Sequence, residues 1–366
     1  MSSTRLPATA TAASVAVAAP DPAVAGARPA ALPVIGSSGI ARLLPGLLLT
    51  TALASLAWQI GRVLPLLGAP VCGILLGVAV RNLFTPSPVF LPGVRFAAKH
   101  VLQWSIVLLG FGLSLVTVAH TGVRSLAVTA VTMTTAFLVA WGLGRLLRVP
   151  DHLKVLIGVG TAICGGSAIA AVAPVIKADE HDTAFAISTI FLFNLVAVLI
   201  FPIFGHWLHL SDLGFGMWAG TAVNDTSSVV AVAYSWSHVA GDFATIVKLT
   251  RSTLIIPVCI VLAIVESVRH RRNGVQLNLA RVFPWFILWF LAASAVRTAG
   301  WVPVGWLPGL ATAATFLIVM ALSSIGLSAD LRRIAATGIR PILLGTGVWV
   351  AVAVSSLLVQ GVLGQR

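Results

Sequence analysis

A carboxylate stands where a membrane-length apolar segment can least accommodate one. In Gly220-Thr-Ala-Val-Asn-Asp-Thr-Ser-Ser-Val-Val-Ala-Val-Ala233, Asp225 sits in an Asn-Asp-Thr-Ser cluster with apolar residues on both sides. An ionised carboxylate in hydrocarbon is costly, so it normally faces a bundle interior or a water-filled cavity. The same pattern occurs sixty residues earlier as Gly160-Thr-Ala-Ile-Cys-Gly-Gly-Ser-Ala-Ile-Ala-Ala-Val-Ala173, with seven of fourteen positions identical. Both copies put helix-breaking or backbone-competing residues at membrane depth. Such breaks are tolerated where backbone lines a cavity inside protein, as in transporter substrate sites.

Composition agrees with a membrane location. The chain is 58% hydrophobic and 9% charged, whereas soluble domains carry roughly 25% charged residues. The net charge of +13 is not gathered into basic stretches with interleaved aromatics, which argues against nucleic acid as a partner. Cys72, Cys164 and Cys259 lie far apart inside apolar segments, so no disulfide framework is expected. Residues 1–38, rich in Ala and Pro without a Leu-rich run, read as a disordered tail and not as a cleaved signal peptide.

Windows of about 20 apolar residues predict eleven spans. They fall at 41–60, 64–81, 97–118, 124–146, 153–176, 183–207, 213–235, 243–265, 283–300, 309–329 and 340–362. The expected fold is an all-α polytopic membrane protein with inverted repeats and discontinuous helices. Its transmembrane domain covers 39–366, divided into an extra span 41–60 and half-repeats 64–207 and 213–362. Placing the basic loop 266–282 in the cytoplasm puts sixteen Lys and Arg inside and five outside. The positive-inside rule then gives a cytoplasmic N-terminus and a periplasmic C-terminus. One re-entrant hairpin at 153–176 or 213–235 would flip everything on one side of it.

A second echo links Leu91-Pro-Gly93, Gly112-Leu-Ser114 and Thr121-Gly-Val-Arg124 to Leu307-Pro-Gly309, Gly326-Leu-Ser328 and Thr337-Gly-Ile-Arg340. In the eleven-span topology these two units run in opposite directions, as an inverted repeat requires. The sixty-residue echo instead relates spans that run in the same direction. The half-repeat division pairs the fifth span with the tenth, whose Ser323–Ser328 is a further candidate interruption.

Candidate binding groups cluster at the breaks. A helix interrupted at mid-membrane offers free N–H groups to anions and free carbonyls to cations. Gly165, Gly166 and Ser167 offer close backbone approach and a hydroxyl; Asn224, Asp225, Thr226 and Ser227 add a charge. Lys248 and Arg251, spaced i and i+3, share one helical face and suit an oxyanion. Snorkelling, or a structural pair with Asp225, is the alternative. His206 and His209 lack a third ligand at metal spacing, so no metal site is expected. Asp179, Glu180, His181 and Asp182 read as a solvated loop cluster, and Asn194 as an interhelical hydrogen-bonding residue. Nucleotide-loop, nucleophile-elbow and metalloprotease signatures are absent, which argues against an enzyme or an ATP-driven pump and predicts no cofactor.

At Gly160–Ala171 with Pro174, at Phe215-Gly-Met-Trp-Ala-Gly220 with Asn224-Asp-Thr226, and at Val247-Lys-Leu-Thr-Arg251, the chain resembles a known family. These are bacterial inner-membrane proteins assigned to sulfate export. The resemblance runs from about residue 40 and includes Leu108–Ser114 and Gly326-Leu-Ser-Ala-Asp330. It implies the cation/proton antiporter and anion transporter superfamily, with inverted repeats and crossed discontinuous helices. Gly112 stands where many relatives carry a basic or polar residue, and Asn224 where relatives often have His.

The expected activity is therefore secondary transport of a small inorganic or sulfonate anion, such as sulfate, out across the inner membrane. Lys248 and Arg251 would bind the anion, helped by helix N-termini at Gly165–Ser167 and Thr226–Ser227. Asn224 and Asp225 would serve coupling, with H⁺ or Na⁺ as the coupling ion. A homodimer is a compatible assembly. The alternatives are a cation/proton antiporter using Asp225 and an anion channel.

Overall fold

The computed structural model describes residues 37–63, 68–84, 86–270, 283–331 and 338–364, and every regular element there is helical. Of the tail expected over 1–38 only 37 and 38 are described, and the basic loop expected over 266–282 is described only to residue 270, where 266–270 are the end of a helix. In chain order, α1 is Ser37–Val63 and α2 is Gly68–Phe84. A run of α3 (Leu91–Phe96), one π-turn and α4 (Leu102–Gly110) follows, then α5 (Leu115–Leu146). The middle holds α6 (Asp151–Ala162), α7 (Gly166–Val172), α8 (Glu180–Trp207), α9 (Asp212–Ala222), α10 (Thr226–Trp236), α11 (His238–Thr253) and α12 (Ile255–His270). The chain closes with α13 (Phe286–Thr298), α14 (Leu307–Ser328) and α15 (Ile339–Val362).

Six helical stretches are long and apolar enough to cross a membrane: α1, α5, α8, α11 with α12, α14 and α15. The shorter α2 and α13 are also apolar. Short polar side chains set many boundaries by accepting from a free first-turn amide. Ser114, Asp179, Ser211, Asp225 and Ser237 cap α5, α8, α9, α10 and α11 in this way. The Ser114 cap corrects one expected span. The segment read as 97–118 ends at Gly110, turns through Phe111–Leu113 and restarts at Leu115.

The larger correction concerns 153–176 and 213–235, which were expected to cross. Both are hairpins. Trp236 at the end of α10 donates to Asp212 at the start of α9 (2.9 Å) and stacks on Phe215 at 4.1 Å. Residues 24 apart meet, so α10 returns to the end from which α9 entered. In the other hairpin, a Cβ on Gly160 would lie 2.9 Å from the Ile169 side chain. Nine residues of straight helix would separate them by about 13 Å. Accordingly α7 packs on α12, beyond the level of the tips, while α10 packs on α11. The α6–α7 and α9–α10 hairpins enter from opposite ends of the bundle and their tips meet inside it.

Two reversals cancel. Outside the hairpins, α8 alone now runs the opposite way, and among Lys and Arg only Lys177 changes side, joining the start of α6. The sixty-residue echo now relates oppositely directed segments, which removes its conflict with the second echo over direction.

The helices pack as two sets. One contains α1, α2, α3–α4, α13 and α14; the other contains α5 to α12 and α15. They meet where α10 lies against α2 and α14, and where α13 lies against α5. Within the first set, α2 and α14 touch backbone to backbone. A Cβ on Gly77 would sit 2.3 Å from the Ser323 carbonyl, and one on Gly326 only 2.2 Å from that of Ile74. Small residues permit this approach where lipid gives helices no hydrophobic drive to associate.

The hairpin geometry makes a direct prediction for sidedness. Single cysteines replacing Arg148 and Lys177 should be labelled by an impermeant maleimide from the same face of the membrane, and one replacing His238 from the other. Opposite sidedness of positions 148 and 177 would restore a full crossing there.

Candidate functional site

Each hairpin tip is a local backbone decision. At the first, α6 stops at Ala162 and Gly165 adopts φ 69°, ψ −134°, a region open essentially to glycine alone. At the second, Val223 and Asp225 are extended and α10 begins at Thr226. The tips abut: a Cβ on Gly165 would lie 3.1 Å from the Asp225 Cβ. Ending α6 and α9 here leaves their last carbonyls without helical partners, deep inside the bundle.

Lys248 and Arg251 of α11 fill those vacancies. Both are fully buried. Lys248 Nζ donates to the carbonyls of Ile163 (2.8 Å), Val223 (3.0 Å) and Asn224. Arg251 Nε donates to Ala162 (2.6 Å), Nη1 to Thr221 and, at 3.5 Å, to Val223, and Nη2 to Thr161. Three carbonyls come from each tip. Neither cation forms an ion pair with Asp225 among the described residues, so the pairing weighed from the sequence is replaced by backbone. The i, i+3 spacing puts both cations on the tips, and the negative ends of two helix dipoles favour them there.

The amide ends of the tips are arranged differently. Asp225 Oδ2 accepts from the Ser228 amide and hydroxyl (3.3 Å each) and from the Ser227 hydroxyl, capping α10. Its own amide donates to Asn194 Oδ1 at 3.3 Å, so Asn194 ties α8 to the second tip. Asp225 Oδ1 accepts no hydrogen bond among the described residues. Asn224 is fully buried and neither polar atom of its carboxamide has a hydrogen-bond partner among the described residues. The first tip has no side-chain cap on α7. Gly166 and Thr226 are half-buried, Ser167 is exposed, and nothing lies within 4 Å of where a Gly166 Cβ would point. Carbonyl ends are sealed by cations; the amide end of the first tip borders open space at Gly166.

The structure thus gathers all nine candidate residues around one pair of tips, with Ser227 buried beside Asp225. Other candidates stand apart. His206 Nδ1 lies 2.7 Å from the Pro202 carbonyl and its ring packs on Trp236. Asp179, Glu180, His181 and Asp182 form the cap and first turn of α8 and not a loop; the first three are exposed as expected, while Asp182 is buried and its amide donates to Asp179 at 2.6 Å. Ligand atoms of Asp179, His181 and Asp182 lie within 4.8 Å of one another. The three cysteines are buried and unpaired. Sequence reasoning missed the six carbonyls that hold Lys248 and Arg251, because backbone groups leave no residue-type signal.

Removing Lys248 strips the Ile163 and Asn224 carbonyls of their donor, at about 1–3 kcal/mol each, and leaves Val223 only the long contact with Arg251. Lys248→Met should therefore sharply lower folded yield and melting temperature in detergent. Asp225→Asn should change stability little, since Asn caps a helix as well as Asp. Adding Asp225→Asn to Lys248→Met should recover nothing. Recovery of stability in the double variant would reveal an ion pair that this geometry lacks.

The family described as "Conserved hypothetical protein 698" matches residues 45–345. A UPF0324 membrane protein of Streptococcus agalactiae serotype V is 42% identical over 330 residues, covering 88% of this chain and 98% of the relative. One from Streptococcus pyogenes serotype M3 is 46% identical over 332 residues, with coverage of 88% and 98%. One from Fusobacterium nucleatum is 41% identical over 339 residues, with coverage of 87% and 98%. No solved structure matches the chain. With the match running through both hairpins and α11, the chain belongs to the conserved hypothetical protein 698 family of membrane proteins.

Proposed function

We propose that this protein is a secondary active transporter for a small anion, sulfate or a related sulfur oxyanion, exported across the inner membrane. One observation carries the reading: two oppositely directed hairpin tips meet inside the bundle, locked to buried cations on their carbonyl side, with open space at Gly166 on the amide side of the first. Lys248, Arg251 and Asp225 leave a net charge of about +1 at the tips, and buried charge of that sign favours an anion. With Asp225 neutralised the net charge becomes about +2, which matches a divalent oxyanion. Protonation of Asp225, or Na⁺ beside it, would couple to anion binding on this account.

The anion would sit at Gly165–Ser167 and Thr226–Ser227, with Asn224 as a neutral donor. Lys248 and Arg251 act as fixed charges through the tips, since their carbonyl bonds occupy all three hydrogens of Lys248. The two helix sets supply the moving parts, the hairpin-bearing set shifting against α2 and α14. With Lys177 moved across by the hairpin, this orientation would put seventeen Lys and Arg on the cytoplasmic side and four outside. That balance supports a cytoplasmic N-terminus and a periplasmic C-terminus. The unpartnered Oδ1 of Asp225 favours a second reading, cation/proton antiport with Asp225 as the ion ligand.

Counterflow in proteoliposomes with labelled sulfate, sulfite, a sulfonate and Na⁺ tests both. Anion exchange is the expected result, and Na⁺ flux without any anion flux would favour the second reading instead. Gly166→Leu should abolish exchange with melting temperature preserved, because its side chain enters open space and not packed atoms. Asp225→Asn should leave exchange intact while flattening its dependence on pH or Na⁺. Normal exchange by Gly166→Leu would remove the tips from the anion path.

A further inference from the structure

A second polar site lies away from the tips, at the end of the bundle where α10 hands over to α11. A cavity of about 480 Å³ opens between the two helix sets there. The first set lines it with Trp58 of α1 and with Thr312 and Thr315 of α14; the second contributes Tyr234 of α10 and His238 and Asp242 of α11. Asp242 is half-buried, and Tyr234 donates its hydroxyl to Asp242 Oδ1. Among the described residues Oδ2 accepts no hydrogen bond, His238 lies near enough to interact electrostatically with the carboxylate, and no Lys or Arg lies in the lining. A carboxylate oxygen among aromatic rings in a mostly apolar cavity is the chemistry that holds an ammonium group. His238 is exposed at the rim and can donate to an anionic group next to that ammonium.

The surroundings say what carries the ammonium. The cavity shares Trp58, Pro308 and Thr312 with an open apolar groove of about 700 Å³ between α1 and α14, walled by Phe316. Trp207, Trp301 and Trp306, at the same end of the bundle, are 73%, 77% and 67% exposed. Exposed tryptophans of this kind collect at the headgroup level of a bilayer. We infer that this seam binds an aminophospholipid: its ammonium on Asp242, its phosphate at His238, and an acyl chain along the α1–α14 groove. The site bridges both helix sets, so an occupied seam ties them together. This inference stands apart from the anion reading, since it uses none of the tip residues.

The test uses the full-length protein reconstituted in equal amounts of phosphatidylethanolamine and phosphatidylglycerol, extracted in mild detergent and examined by native mass spectrometry. Wild type should retain phosphatidylethanolamine in preference to phosphatidylglycerol. Asp242→Asn should weaken that preference about tenfold, the factor carried by one charge-assisted contact of roughly 1.4 kcal/mol. Asp225→Asn, far from the seam, should retain it. Circular dichroism of Asp242→Asn checks that the fold is kept, and Trp58→Leu supplies a second variant that should weaken retention without removing a charge. Equal retention of both lipids by wild type, or an unchanged preference in Asp242→Asn, would overturn the inference. Saturable binding of soluble 2-phenylethylammonium without lipid preference would overturn the lipid assignment and leave a free amine as the ligand.

Discussion

Six backbone carbonyls converging on two buried cations hold the centre of this protein together. The α6–α7 and α9–α10 tips each expose three of them, and α11 answers with Lys248 and Arg251 one turn apart. Ending a helix in a membrane is otherwise prohibitive, because no water satisfies the freed groups. Burying two cations is equally unfavourable alone. Each problem is the other's solution. Neither hairpin would stop where it does without α11, and α11 would not sit between them without the tips.

That dependence explains what was legible in the sequence. The apolar segments were readable because each is a run of about twenty residues with few charges. The tips were readable because Cys-Gly-Gly-Ser and Asn-Asp-Thr-Ser interrupt such runs, and the echo marked them as a pair. Lys248 and Arg251 stood out as charges within an apolar stretch. Their partners did not, since a carbonyl belongs to every residue and only the fold decides which are free. A direct pair with Asp225 was one alternative to anion binding, and Asp225 instead caps α10.

The hairpins were harder still. A re-entrant pair of half-helices and a broken span have the same length and hydropathy, so composition does not separate them. The decisive contact, Trp236 with Asp212, joins residues at the two extremes of the segment. Had only one hairpin formed, the excess of basic residues on one side would have all but vanished and exposed the error. Because two formed, entering from opposite ends, the balance changed by a single lysine and concealed both.

The same geometry sets which side of the tips is rigid. The carbonyl side is crosslinked through two charged side chains, so moving one tip there disrupts bonds to the other. On the amide side Gly165 allows the backbone to pass close to Asp225, Gly166 faces open space, and only the α10 end carries a cap. Glycine is needed there for two reasons that act together. At Gly165 the backbone dihedrals exclude a side chain, and at Gly166 the space a side chain would fill is the open space itself. Substitution therefore has opposite physical effects at adjacent positions: strain in the fold at the first, occupation of the hollow at the second. A tip fixed on one side and open on the other confines any rearrangement to the amide ends, where the Asp225 carboxylate stands at the edge of accessible space.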